Sequence, residues 1–289
     1  MQTFNPSELK NLYVAPKESH KGENGKLTII GGSHLFHGAS LWALKVASRI
    51  VDMVFYSSVS ENNKLTEKLQ SELYDFIAVP REKIETYIEE SDAVLIGPGL
   101  AREEGREKDE ESTKALTERL LKKFPKKKWI IDAGSLTEMD PQWLKQLNGN
   151  VVITPHIGEF EKLFGVNVTR NTANVTRENN ESRVTSHVSR FAKEFNCVIL
   201  LKRPTDIVCS PSICVQIRGG NEGMTKGGTG DVLAGLVAAL ACKNDLFLAA
   251  AAGSYINKKA GDALYKRVGP NFNASDLADE IPKVMKLLV

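Results

Sequence analysis

The sequence predicts an α/β protein, a three-layer αβα sandwich around a mostly parallel central sheet, and two observations carry that prediction. Short continuous apolar runs rich in β-branched residues recur along the chain, several of them ending at a glycine or an acidic residue. Between them lie segments of helical periodicity, the alternation that a parallel sheet covered on both faces requires. With 289 residues, 42% hydrophobic and 26% charged, the composition is that of an ordinary globular chain able to bury a large core. No internal repeat and no Pro/Ser linker divides it, so one domain over residues 1–289 is expected.

In chain order the strand runs are Leu27–Ile30, Met53–Tyr56, Ala93–Ile96, Trp129–Ile131, Val151–Ile153 and Val198–Leu201. Helical patterns occupy His37–Arg49, Lys64–Leu73, Glu110–Phe124, Pro141–Leu147, Ile157–Leu163, Thr185–Phe195, Val232–Ala241, Leu246–Arg267 and Ala274–Leu288. In the third of these, Leu116, Leu120, Leu121 and Phe124 form a core-facing stripe. The stretch Asn167–Ser182, rich in Asn, Thr and Arg without periodicity, reads as a loop or surface insertion.

Charge and composition exclude several classes of function. A net charge of +2 from 38 basic and 36 acidic residues leaves no electrostatic excess for a polyanion, so nucleic acid is not an expected partner. The lysines at 122, 123, 126, 127 and 128 read as a solvated face. The N-terminal segment MQTFNPSELKNLYVAPKESHKGENG lacks a signal-peptide profile and no run of 18 apolar residues occurs, which predicts no membrane association and a cytoplasmic location. Cys197, Cys209, Cys214 and Cys242 show no CxxC pair and no histidines at zinc spacing. They are expected to be reduced and partly buried.

In open parallel sheets ligands bind at the carboxyl ends of strands. Gly31-Gly32-Ser33, Gly97-Pro98-Gly99, Asp132-Ala133-Gly134, Thr154-Pro155-His156 and Lys202-Arg203-Pro204-Thr205-Asp206 all follow strand runs, which points to one shared cleft. Beside them stands GMTKGGTGDVLAGLVAALA, Gly223 to Ala241, a glycine turn opening an apolar helix. Its backbone N–H groups and the helix dipole suit phosphate. Asp231, in the first helical turn, has two readings: an acid that stabilises the helix start, or a base that takes the proton of a substrate hydroxyl during phosphoryl transfer. The glycine content exceeds what capping needs, and the helix is apolar throughout, which favours the second. The pattern is neither a Walker A loop nor a dinucleotide GxGxxG turn.

Taken in order, GKLTIIGGSHLFHGA, LIGPGL, IIDAGSL, VVITPHIGEFEKLFG and GMTKGGTGDVLAG resemble the ADP/ATP-dependent NAD(P)H-hydrate dehydratase family of the ribokinase-like superfamily, over nearly the whole chain from about Ser19. The resemblance implies a ribokinase-like fold and repair of hydrated nicotinamide cofactors. The C6 hydroxyl of the (S)-hydrate is phosphorylated by ATP or ADP, and loss of phosphate restores NADH or NADPH. It implies Ala39, Gly99, His156 and Asp231 on the NAD(P)H-hydrate side, with Asp231 as catalytic base. Lys202, Arg203, Pro204, Thr205 and Asp206 would hold the adenine nucleotide together with Gly227, Gly228, Thr229 and Gly230. Mg2+ accompanies the phosphates with no residue assigned as a protein ligand to it. A homo-oligomer is implied, and with no fused epimerase domain expected, any NAD(P)H-hydrate epimerase would be a separate protein.

His156 taken alone would be a structural residue, and the neighbouring Thr154, Pro155, Gly158 and Glu159 turn the reading toward a ligand contact. Glu159 reads as a helix cap, and Asp132 as either a second acid or a turn-bonding residue outside the core set. The chain departs from relatives at three places. Arg203-Pro204 replaces a glycine after the strand lysine, so Arg203 either blocks the backbone approach to the nucleotide or itself reaches a phosphate. Glu222 stands where relatives carry proline, and Val51-Asp52-Met53-Val54 replaces a glycine-containing segment. Two alternatives remain: a superfamily kinase acting on a vitamin precursor or sugar hydroxyl, and a nucleotide-binding relative without catalysis.

Overall fold

The computed structural model describes residues 1–60, 62, 75–102, 111–168 and 177–289. Among them, ten strands form one sheet: β1 Gln2–Thr3, β2 Lys26–Ile30, β3 Met53–Ser57, β4 Ile77–Ala78, β5 Ala93–Ile96, β6 Lys128–Ile131, β7 Val151–Ile153, β8 Val198–Leu201, β9 Asp206–Cys209 and β10 Cys214–Ile217. The spatial order is β1-β10-β9-β8-β7-β6-β5-β2-β3-β4. Every neighbouring pair is parallel except β8/β9 and β9/β10. The expected mostly parallel sheet is present, and each of the six expected strands lies within one residue of its run.

Helices cover both faces. They are α1 His37–Ala47, α2 Ile84–Glu90, α3 Thr113–Lys123, α4 Ala133–Glu138, α5 Ile157–Phe164, α6 Arg177–Glu194, α7 Thr229–Ala241, α8 Leu246–Val268 and α9 Ala274–Leu288. Successive strand side chains point to opposite faces, so β2 sends Leu27 and Ile29 to one core and Ile30 to the other. The first core is shared with α1, α7, α8 and α9, the second with α2 to α6. This is the three-layer sandwich.

Differences from expectation have local causes. The Lys64–Leu73 helix and most of the Asn167–Ser182 loop lie outside the described residues, but 177–182 belongs to α6, which starts eight residues before the expected Thr185. Its opening turns carry no apolar stripe to signal them. Pro141–Leu147 is a 3-10 helix, entered through proline and capped by Asp140, whose side chain accepts from the Gln142 N–H. The cysteines require a correction. Cys209 and Cys214 are disulfide-bonded across the β9–β10 hairpin, while Cys197 and Cys242 are free and buried. Antiparallel pairing puts Cys209 directly opposite Cys214, with Cα atoms 4.1 Å apart, a proximity that no spacing motif announces.

Candidate active site

The carboxyl ends of β5, β6, β7 and β8 and the start of α7 converge. The extension beyond β7 and β8 keeps their parallel pairing: the Lys202 N–H donates to the Pro155 carbonyl (2.8 Å), and His156 bridges to Lys202. Proline and histidine of one strand end are thereby held against the lysine of the next. His156 also opens α5 through a reciprocal cap, its N–H donating to Glu159 Oε2 (2.8 Å) and its Nδ1 accepting from the Glu159 N–H (3.2 Å). Glu159 is a cap as read from sequence, and is itself buried.

Asp132, at the end of β6 and 1% exposed, anchors the polar core of the site. Its Oδ1 accepts from Lys202 Nζ and from Thr154 Oγ1, both at 2.8 Å. Lys202 Nζ lies 3.9 Å from Glu159 as well. Burial pulls the ammonium toward neutrality, but Asp132 and then Glu159 outweigh it, so Lys202 stays charged. From sequence Asp132 reads as a second acid near a metal or as a residue bonding the next turn, outside the core set. The structure makes it the partner on which Lys202 depends.

The start of α7 is a tightly held glycine turn. Gly228 is the N-cap residue at φ 94°, a left-handed conformation that favours glycine, and an added Cβ there would run into Trp42 of α1. The glycine at the N-cap offers no side chain to this 13-residue helix, so the capping position supplies no acceptor to its first N–H groups. The turn is fixed from behind, because Thr229 Oγ1 donates to the carbonyls of Met224 and Lys226 (2.7 and 2.9 Å) and Lys226 Nζ to that of Phe272 (2.6 Å). Asp231 follows in the first turn. Burial above all, then the Asp132 charge, raises its carboxyl to about 7 against the opposing pull of Lys202. A carboxylate poised there exchanges a proton readily near neutral pH.

A cavity of about 640 Å³ is lined by His156, Lys202, Arg203, Pro204, Asp206, Thr229 and Gly230, and on its far side by Gly219 to Glu222, Met224, Leu233, Asn257 and Lys258. The 202–206 segment is hooked in place: Asp206 Oδ1 accepts from the Arg203 N–H (2.7 Å), its Oδ2 from Ser254 (2.7 Å), and Lys258 Nζ donates to the carbonyls of Arg203 and Pro204 (3.1 and 3.0 Å). Arg203 and Glu222, the departures from the family pattern, leave the cavity open, and the Glu222 carboxylate accepts from Tyr265 (2.7 Å). Three buried polar atoms without partners belong to this wall: Arg203 Nε, Asn221 Nδ2 and Asn257 Oδ1. An unmet buried polar atom costs about 1–3 kcal/mol.

Of the residues singled out in the sequence, Thr205, Gly227, Gly228 and Asp231 adjoin this wall without lining the cavity. Ala39 and Gly99 lie together on the other flank, a Cβ on Gly99 coming 3.1 Å from that of Ala39. One turn after Ala39, Trp42 packs under Gly228, which ties this flank to the glycine turn. Asn221, Asn257 and Lys258 were missed. The pair on α8 had a signal, two polar residues inside an otherwise apolar helical stripe where Ile256 and Ala260 are fully buried.

Fold and site together define a ribokinase-like α/β protein in which a glycine turn opens a buried helix beside an ionisable carboxylate. The structure superposes on the ADP/ATP-dependent NAD(P)H-hydrate dehydratase of Bacillus subtilis with a TM-score of 0.79 at 22% identity, covering 100% of this chain and 99% of the other. The family model for NAD(P)H-hydrate dehydratase matches residues 27–283, and the chain belongs to that family. It is 35% identical over 280 residues to the ADP-dependent (S)-NAD(P)H-hydrate dehydratase of Nitrosopumilus maritimus, covering 93% of this chain and 91% of the relative. It is also 33% identical over 288 residues to the bifunctional NAD(P)H-hydrate repair enzyme of Methanocaldococcus jannaschii, covering 97% of this chain but 52% of that protein. No helix among the described residues is long and apolar enough to cross a membrane.

Proposed function

We propose that this protein is an NAD(P)H-hydrate dehydratase that uses ADP or ATP to return the (S)-hydrate to NADH or NADPH. The observation that carries the reading is the position of Asp231, an acid raised to about 7 in the turn whose uncapped N–H groups suit a phosphate, beside the Lys202–Asp132 pair. Asp231 takes the proton of the C6 hydroxyl as that oxygen attacks the terminal phosphorus of the nucleotide, and AMP or ADP leaves. The resulting phosphate ester is a good leaving group. The ring nitrogen expels it as orthophosphate, C5 releases a proton, and the C5–C6 double bond is restored. The N–H groups at the start of α7 and Lys202 stabilise charge on the transferring group.

In this reading the nucleotide occupies the 640 Å³ cavity, with its phosphates toward Lys202, Thr229 and Gly230 and its nucleoside toward Met224, Asn221 and Asn257. The hydrated cofactor takes the flank of Ala39, Gly99 and His156. Among the described residues no three His, Cys, Asp or Glu side chains form a metal cluster. Mg2+ uses one or two carboxylates and otherwise water and phosphate oxygens. Asp132 and Glu159 would face an ion that arrives with the nucleotide and neutralises charge on its phosphates. A homo-oligomer in the cytoplasm, working with an NAD(P)H-hydrate epimerase activity that supplies the (S)-form, completes the reading.

Incubation with (S)-NADHX, Mg2+ and either ADP or ATP is expected to restore the absorbance of the reduced nicotinamide. No recovery with either donor overturns the proposal. A superfamily kinase would instead consume nucleotide with a vitamin precursor or sugar and leave NADHX untouched.

A further inference from the structure

We propose that the Arg203 side chain binds a phosphate group of the nucleotide and is a residue on which the affinity of this site for its charged donor depends. The inference rests on the nucleotide reading of the cavity given above. Arg203 follows Lys202 at the carboxyl end of β8, and its backbone is held on both sides, the N–H by Asp206 (2.7 Å) and the carbonyl by Lys258 (3.1 Å). The side chain lines the cavity, with Nε buried and without a partner.

The other two cations of the wall are already matched. Lys202 lies 2.8 Å from Asp132, and Lys258 lies 3.4 Å from Asp206. Arg203 makes no ion pair among the described residues, so its charge is the one in this wall left for a ligand. A guanidinium is always protonated, and its two terminal nitrogens form a fork that matches two oxygens of a phosphate. Stacking of the same group on the adenine ring would leave its charge without a counter-ion, whereas a phosphate neutralises it. The base and ribose are then read by other groups, and loss of Arg203 acts on the charged part of the ligand alone.

The test is the dissociation constant of ADP and of adenosine, measured by titration calorimetry on the whole protein, for wild type, Arg203→Gln and Arg203→Lys. Circular dichroism and the melting temperature of each variant establish folding. Arg203→Gln is expected to weaken ADP about 10- to 100-fold, the range of a charge-assisted hydrogen bond, and adenosine less than about 3-fold. Arg203→Lys recovers part of the ADP loss, because a point charge returns but the fork does not. Equal weakening of ADP and adenosine places Arg203 on the nucleoside and overturns the inference, as does unchanged ADP binding. Should the glutamine variant fail to fold, the lysine variant decides, since a phosphate contact requires a larger loss for ADP than for adenosine. A wild-type protein that binds no ADP or ATP overturns the nucleotide reading itself, a separate result.

Discussion

Asp231→Asn keeps the shape of the side chain and removes its charge, and it separates a catalytic base from a helix-start acid through stability as well as rate. Folding raises the carboxyl from its ordinary 3.8 to about 7, so the folded protein holds a proton that the unfolded chain has released. Stability therefore falls as pH rises from about 4 to about 7 and then levels off. At about 1.4 kcal/mol per factor of ten in the acid constant, the full cost is about 4 kcal/mol. Solvent reaches part of the side chain, and screening reduces this to about 1–2 kcal/mol.

Asparagine carries none of that cost. At about 2–4 °C per kcal/mol for a chain of this size, the variant is expected to melt about 2–8 °C above wild type at pH 8, with less than half of that gap left at pH 5. Its turnover in the cofactor-regeneration assay falls about 10²- to 10⁴-fold, the usual worth of a positioned base. Scanning calorimetry at the two pH values and initial rates check both halves. A variant that melts below wild type at pH 8 and turns over within tenfold of it would refute the reasoning, making Asp231 a residue that steadies the helix dipole.

Three further outcomes follow from the same geometry. Asp132→Asn removes the like charge beside Asp231, so the acid limb of the kcat/KM profile moves to lower pH; an unmoved limb contradicts the coupling. Lys202→Met leaves the 1%-exposed Asp132 without its cation, and urea denaturation is expected to show a loss of about 3–5 kcal/mol; a loss under about 1 kcal/mol contradicts the pairing. Cys209→Ser with Cys214→Ser opens a bridge with a sequence separation of 5, which chain entropy values at about 2 kcal/mol; matching urea midpoints for wild type and the double variant contradict the bridge.

The strands legible in the sequence are those buried on both faces, because continuous apolar runs such as Ala93–Ile96 and Val198–Leu201 have no other use in a chain of this composition. The β9–β10 hairpin was missed. Asp206–Cys209 starts on a charge, Cys214–Ile217 alternates with a half-exposed glutamine, and both lie toward the edge of the sheet, where periodicity is weak. Gln2–Thr3 and Ile77–Ala78 are two residues each, too short to carry a pattern. In α4, AGSLTE offers no apolar stripe, and its packing under Leu100 comes from Gly134, whose added Cβ would strike the Leu100 carbonyl.

The site divides along the same line. His156, Lys202 and the glycine turn follow strand ends or open a helix, where residue type alone signals chemistry. Asn257 and Lys258 reach the cavity from the middle of α8, and Asn221 from a loop, so only tertiary packing brings them there. The role of Asp132 was equally hidden, since its importance comes from accepting Lys202 and Thr154 from two other strand ends.

In the proposed reaction, phosphoryl transfer to the C6 hydroxyl is completed by elimination at this one site. The most direct measurement is the stoichiometry of a single reaction of (S)-NADHX with ADP and Mg2+, following reduced nicotinamide, orthophosphate and AMP together. Equal amounts of all three are expected. AMP formed with a stable phosphorylated hydrate, and neither orthophosphate nor reduced nicotinamide, would contradict the account and leave a kinase in its place.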